Sequence, residues 1–174
     1  MVTNFLNTIK MEAGKIKLEL EDTNICEMLR EIINEYEPKA KEKNNKLIFE
    51  KISIRESEVI IKTDHNKIKE VFINLVDNAI KFTSNGIIKI TCDDNRKETI
   101  ISVEDNGAGI PQKDIDHIFD KFFQVQNANG NYKNGTGLGL YIVKSIVVMQ
   151  GGKTIAESEI NKGTRFTLTL PKDI

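Results

Sequence analysis

Apolar positions recur along the chain with two spacings, and the switches between them mark out the elements. Residues 2–13 place Phe5, Leu6 and Ile9 on one side of a helix. That stripe has no partner nearby in sequence, as the last turns of something longer would not. Gly14 ends it. From Lys15 to Leu20 apolar and charged residues alternate as in a strand. Asn24, with Glu27 three residues on, is a helix-starting pair. Ile25, Met28, Leu29, Ile32, Ile33 and Tyr36 then follow at helical spacing, and Pro38 is expected to bend or end that helix. Residues 46–53 and 59–63 read as two strands of a hairpin. Asp64 caps a second helix running to about Phe82, with Ile68, Val71, Phe72, Leu75 and Ala79 on its core face.

Strands are expected near residues 87–92 and 99–104, then a short helix over 112–119. Residues 126–134 are polar, rich in asparagine and without periodicity, which reads as a mobile loop. A third long helix starts near Thr136 and is apolar on most sides, so it should be buried. Strands near 153–157 and 164–170 close the chain. Strands packed on segregated helices define an α+β chain, a two-layer α/β sandwich with helices on one face of a mixed sheet. There is no internal repeat.

Composition changes this picture little. The 174 residues fit one domain able to bury a core, and the net charge of -1 gives no global electrostatic case for nucleic acid or membrane binding. No apolar run approaches a membrane span, and charges break up every apolar stretch near the N-terminus, so there is no signal-peptide pattern. Cys26 and Cys92 lie far apart without metal-ligand spacing and read as buried reduced thiols of a cytoplasmic protein.

Three polar elements carry candidate chemistry. Asn74, Asn78 and Lys81 sit at i, i+4 and i+7 of the second helix and share one face. Amide oxygens suit a hard ion such as Mg²⁺, which is commonly held by few protein ligands plus phosphates and water. Lys81 can offset phosphate charge. The plain alternative is a solvated stripe. Asp105-Asn106-Gly107-Ala108-Gly109-Ile110 follows an apolar strand. A carboxylate there can accept from an exocyclic amine such as adenine's, whereas guanine would present a carbonyl oxygen to it. Alone, the segment is as well read as an Asp-Asn-Gly turn. Gly135-Thr136-Gly137-Leu138-Gly139-Leu140 opens a buried helix, where backbone N–H groups and the helix dipole favour phosphate. The spacing is GxGxG, which is neither the dinucleotide fingerprint nor a P-loop. HRD and DFG are also absent, which excludes a protein kinase of the eukaryotic type.

In order and spacing these elements resemble the ATP-binding catalytic domain of sensor histidine kinases, within the superfamily of gyrase-type and Hsp90-type ATPases. Residues 74–83 match that family's N box, residues 105–109 its first glycine box, Ile118-Phe119-Asp120-Lys121-Phe122-Phe123 its F box, residues 135–140 its second glycine box, and Gly163-Thr164-Arg165-Phe166 its closing strand. The resemblance implies a Bergerat fold, a mixed, mainly antiparallel sheet with three main helices on one face. It divides the chain into 1–13, the end of a dimerisation helix and linker, and 14–174, the catalytic domain. It implies Mg-ATP as ligand: Asn78 on the Mg²⁺, Asn74 near the phosphates, Lys81 and Phe82 lining the nucleotide. Asp105 would take the adenine amine, with Thr164 assisting through water. Gly107, Gly109 and Ile110 would shape the base pocket, Phe122 would join it from the F box, and residues 135–140 would wrap the triphosphate. Residues 126–134 would be the ATP lid, with Lys133 as a γ-phosphate contact.

Water-activating members of the superfamily carry Glu where this chain has Asn74. A carboxamide cannot serve as a general base, so the sequence favours transfer over hydrolysis. Glu70, one turn earlier, reads as solvated surface. His65 and His117 lack the H-box context of a phosphoacceptor, so the acceptor imidazole is expected on a separate dimerisation domain of a parent kinase, with a response regulator as indirect partner. The domain is expected to be monomeric and cytoplasmic without direct membrane contact, whether or not its parent is membrane-anchored. Two rival readings are an ATP hydrolase of the same fold and a nucleotide-dependent protein-binding module.

Overall fold

The computed structural model describes residues 17–52, 58–95, 97–125 and 135–172. The expected helix over residues 2–13, the end of the strand at Ser53, and the lid residues 126–134 with Lys133 lie outside the described residues.

The first strand, β1 (Leu20–Asn24), leads directly into helix α1 (Ile25–Lys41). The Asn24 side chain caps this helix by accepting from the Glu27 N–H at 3.3 Å. The periodic apolar residues face inward as expected: Ile25, Met28, Leu29 and Ile32 are buried. Pro38 does not end the helix, which runs on to Lys41. Its missing N–H falls near the C-terminal end, and burial of Ala40 in the core holds the last turn in place. Helix α2 (His65–Phe82) is capped by Asp64, whose side chain accepts from the Lys67 N–H at 3.0 Å. Ile68, Val71, Phe72, Leu75 and Ile80 of α2 are fully buried.

The expected hairpin of residues 46–63 does not form. Strand β2 (Lys46–Lys51) runs parallel to β4 (Ile87–Asp94) at one edge of a five-stranded sheet. Strand β3 (Ile60–Asp64) instead pairs antiparallel with β1 in a separate two-stranded sheet. Parallel neighbours need a crossover connection, and β3 with α2 supplies it. The strand expected over 15–20 is likewise displaced, since β1 pairs with β3 from Leu20 to Asn24. The main sheet runs β2-β4-β5-β7-β6, with β5 (Glu98–Asp105), β6 (Lys153–Glu159) and β7 (Gly163–Pro171) all antiparallel to their neighbours. It is mixed and mainly antiparallel.

Alternation sets the two faces of this sheet. Ile88 and Ile90 on β4, Ile101 and Val103 on β5, and Phe166 and Leu168 on β7 pair across the strands and are buried. The intervening residues carry ion pairs between neighbouring strands, Glu50 with Lys89 and Glu104 with Arg165. Helix α1 packs on β2, α2 on β5, and α3 (Gly139–Met149) on β6, with α2 touching both other helices. The central helix is thus the one bearing the asparagines. Gln150, fully buried just after α3, accepts from the Thr63 hydroxyl and, at 3.0 Å, from the Asp64 N–H. It ties the end of α3 to the start of α2. The two cysteines, distant in sequence, meet in the core. Both are buried and free. The Cys92 thiol contact lowers the Cys26 thiol to about 7, while the same contact and burial push Cys92 up.

Candidate functional site

Helix α2 has an apolar stripe in the core and a polar stripe beside it, and the polar stripe opens onto a cavity of about 270 Å³. Asn74, Asp77, Asn78 and Lys81 line it from α2. Asp105 and Thr164 line it from the ends of β5 and β7, and Gly109 and Ile110 from the loop after β5. Gly135, Thr136, Gly137, Gly139 and Leu140 close the far side at the start of α3, and Phe82 completes the α2 edge. The three motifs separated in sequence therefore share one wall.

Each polar group is aimed by its surroundings. The Asn74 amide donates back to the Glu70 carbonyl one turn earlier at 2.8 Å, which commits its N–H side to the helix. Its Oδ1 faces the glycine turn, 2.9 Å from where a Cβ on Gly139 would stand. Asp77 is held by an ion pair with Lys39 of α1. The Lys81 ammonium lies 5.0 Å from the centroid of the Phe82 ring. Helix α3 begins without a side-chain cap, and its first residues, Gly139 and Leu140, border the cavity, where a helix N-terminus favours an anion.

Asp105 and Thr164 are cross-strand partners at the cavity end of the core face, and both are buried. Burial raises the Asp105 pKa. The Gly107 N–H, which donates to its Oδ1 at 2.8 Å, the nearby Thr83 hydroxyl and the Thr164 N–H partly offset that rise, and Glu104 adds to it. A buried carboxylate held by backbone donors is a strong acceptor for a ligand N–H. Gly107 itself stands behind this carboxylate and off the wall. A Cβ there would lie 2.4 Å from the Phe82 carbonyl oxygen and 2.9 Å from Asp105 Oδ1.

Backbone and side-chain bonds tie the F box and the residues just after it to the second glycine box. The Phe122 N–H donates to the Gly137 carbonyl at 3.0 Å, and the Gln124 side chain donates to the Gly135 carbonyl at 2.8 Å. Gly137 is left-handed (φ +69), and a Cβ on it would meet the Phe122 backbone at 2.5 Å. Phe122 is left-handed too (φ 64) and its side chain is exposed. It does not line the cavity; Phe123 and Val125 do. Leu138 is buried in the core and also stands off the wall. Asp77 went unremarked in the sequence although its i+3 spacing from Asn74 places it on the same face. The 3₁₀ helix Gln112–His117 precedes the F box. His117 there bonds Asp120 at 2.9 Å, and His65 at the start of α2 faces Glu21. Neither histidine lines the cavity. Glu70 pairs with Lys67 at 3.6 Å and also stands off the wall.

A central helix bearing two asparagines, a buried aspartate at a sheet end and a glycine turn opening a helix define an ATP-binding α/β sandwich. Residues 63–174 match the model of the histidine kinase-, DNA gyrase B- and HSP90-like ATPase family, and the chain belongs to that family. It is similar to the sensor histidine kinase YclK of Bacillus subtilis (strain 168), 35% identical over 172 residues, which are 98% of this chain and 36% of that one. Among solved structures, the catalytic domain of histidine kinase ThkA in a nucleotide-free form superposes with a TM-score of 0.77 at 35% identity, covering 89% of this chain and 99% of that one. ThkA in complex with the response regulator protein TrrA matches with a TM-score of 0.74 at 30% identity, over 98% of this chain and 49% of that one. The chain spans about a third of the length of the curated relatives it matches. Within the family it is a histidine kinase-type ATP-binding domain. Among the described residues no helix is long and apolar enough to cross a membrane.

Proposed function

We propose that this domain binds Mg-ATP in the cavity and presents the γ-phosphoryl group to a histidine on a separate dimerisation domain, in two-component signalling. The observation that carries this reading is the wall itself: asparagine side chains, a buried carboxylate and an uncapped helix N-terminus converge from three motifs on one cavity. Asp105 takes the adenine amine, Thr164 assists through water, and Phe82, Gly109 and Ile110 flank the base. The glycine turn and the α3 N-terminus hold the triphosphate, with Lys81 supplying positive charge.

The donor set fits Mg²⁺. Asn78 would be a neutral oxygen ligand, Asn74 has its Oδ1 beside the glycine turn, and phosphate oxygens and water would complete the shell of a hard ion. Bound there, the ion neutralises charge on the phosphates. The domain's own residues then act by positioning. The acceptor imidazole nitrogen forms a bond to the γ-phosphorus, the bond to the β–γ bridging oxygen breaks, and ADP leaves. No base on this chain is required, because the neutral imidazole brings its own lone pair.

Transfer is favoured over hydrolysis because Asn74 stands where a water-activating carboxylate would, and Glu70 is engaged with Lys67 off the wall. Phosphate release by the isolated domain should therefore stay at background, and Asn74→Glu should raise it. Robust steady-state release by the unaltered domain, lost on changing Asn74 or Glu70, would overturn the choice. We place the domain in the cytoplasm, where ATP is available. A response regulator would be met through the phosphorylated dimerisation domain.

A further inference from the structure

Three strands bring Asp105, Thr164 and Ser158 into one row, Asp105 opposite Thr164 and Thr164 opposite Ser158. Ser158 does not line the cavity, yet its hydroxyl controls a group that does. It donates to the Gly163 carbonyl at 2.7 Å. It accepts from the Ile110 N–H at 2.8 Å. Its third partner is the Thr164 hydroxyl, also at 2.8 Å. A serine hydroxyl has one hydrogen and two lone pairs. The hydrogen is spent on Gly163, so in the third contact Thr164 must donate. The only hydroxyl hydrogen of Thr164 therefore points at Ser158, and its lone pairs are what remain for the cavity. The buried wall at the base end then presents two acceptors, the Asp105 carboxylate and the Thr164 oxygen.

We propose that Ser158 is a specificity-determining positioning residue: by taking the Thr164 hydrogen it makes the wall accept a purine with an amine at its 6-position and repel one with a carbonyl there. This rests on the reading that the base lies against Asp105. Either directly or through one water, an amine supplies hydrogens to two acceptors. A 6-carbonyl oxygen meets only lone pairs, and a buried polar site left unpaired discriminates strongly. Without Ser158, the Thr164 hydroxyl is free to rotate and offer its hydrogen to that carbonyl.

The test is calorimetric titration of the domain and of Ser158→Ala and Ser158→Thr with Mg-ATP, Mg-ITP and Mg-tripolyphosphate. ITP carries a carbonyl in place of the 6-amine, and tripolyphosphate has no base. Ser158→Ala should narrow the preference for ATP over ITP by about 3- to 10-fold, the worth of one neutral hydrogen bond. It should leave tripolyphosphate binding unchanged, and Ser158→Thr should restore the preference. If Ser158→Ala weakens ATP and ITP equally, Ser158 only packs the strand and the proposal fails. Should Ser158→Ala not fold, Thr164→Val removes the same lone pairs from the wall; an undiminished preference in that variant also overturns the proposal. Asp105→Asn separates the two levels. If it leaves the preference intact, the base does not lie at Asp105 and the underlying reading falls as well. If it abolishes the preference while Ser158→Ala does not change it, only the Ser158 inference falls.

Discussion

In the proposed function Asp105 concentrates the base chemistry in one side chain. Hydrogen bonds to charged groups contribute about 1.5–3 kcal/mol, so Asp105→Ala should weaken ATP binding roughly 10- to 150-fold by calorimetry. The raised pKa adds a pH dependence with a definite sign. The acceptor must be ionised, so ATP affinity should fall as pH drops through the Asp105 pKa, at a higher pH than for an ordinary carboxylate. The effect on stability runs the other way. Because the folded pKa lies above the unfolded one, the stability linked to this group is full below the unfolded pKa and is lost as pH rises through the folded one. Above the folded pKa the domain thus carries the penalty of a buried carboxylate. Asp105→Asn should raise the Tm at pH 7, with the gain vanishing in acid, while impairing ATP binding; an unchanged Tm at both pH values would contradict the assigned burial cost. Asp105 was legible in the sequence because a carboxylate before two glycines at a strand end has few other uses once its companions are present. Ser158 was not, since its role depends on counting hydrogens across three strands.

At the scale of elements, local periodicity placed the helices well and the strand partners badly. The Asn24 and Asp64 caps and the inward stripes of α1 and α2 follow from nearest neighbours along a helix. Alternation tells which way a strand's residues point but not which strand lies beside it. Residues 46–51 and 60–64 alternate like hairpin partners, yet β2 joins β4 and β3 joins β1. That choice is made by packing of the whole core. Pro38 shows the same priority, with burial overriding a local break. Gln150 depends equally on tertiary placement, since its buried amide is shared between Thr63 and Asp64. Gln150→Ala should cost about 2–4 kcal/mol in urea unfolding, through a void and two orphaned donors. A cost near zero would show that the α3 to α2 tie carries no weight.

Across the whole molecule, the fold turns three weak motifs into one site by putting the asparagine helix at the centre of the helical layer, with the sheet end on one side and the glycine turn on the other. The same collapse buries Cys26 against Cys92. Although the Cys26 thiol sits at about 7, both thiols should resist a water-soluble thiol reagent in the native state and react at once in denaturant. Rapid native labelling would place them outside the core. The order of the motifs makes the family legible in the sequence, and Asn74 there favours transfer over hydrolysis.

In the proposed function the domain holds ATP for an acceptor histidine on a separate domain, distinct from His65 and His117. The most direct measurement is transfer of label from γ-labelled ATP, by the purified domain, to a separately purified dimerisation domain bearing the acceptor histidine. The dimerisation domain should be labelled in a reaction that requires Mg²⁺, is lost in Asn78→Ala, and leaves the ATP-binding domain itself unlabelled. Label appearing on His65 or His117 of this chain, or only as free phosphate, would contradict that function.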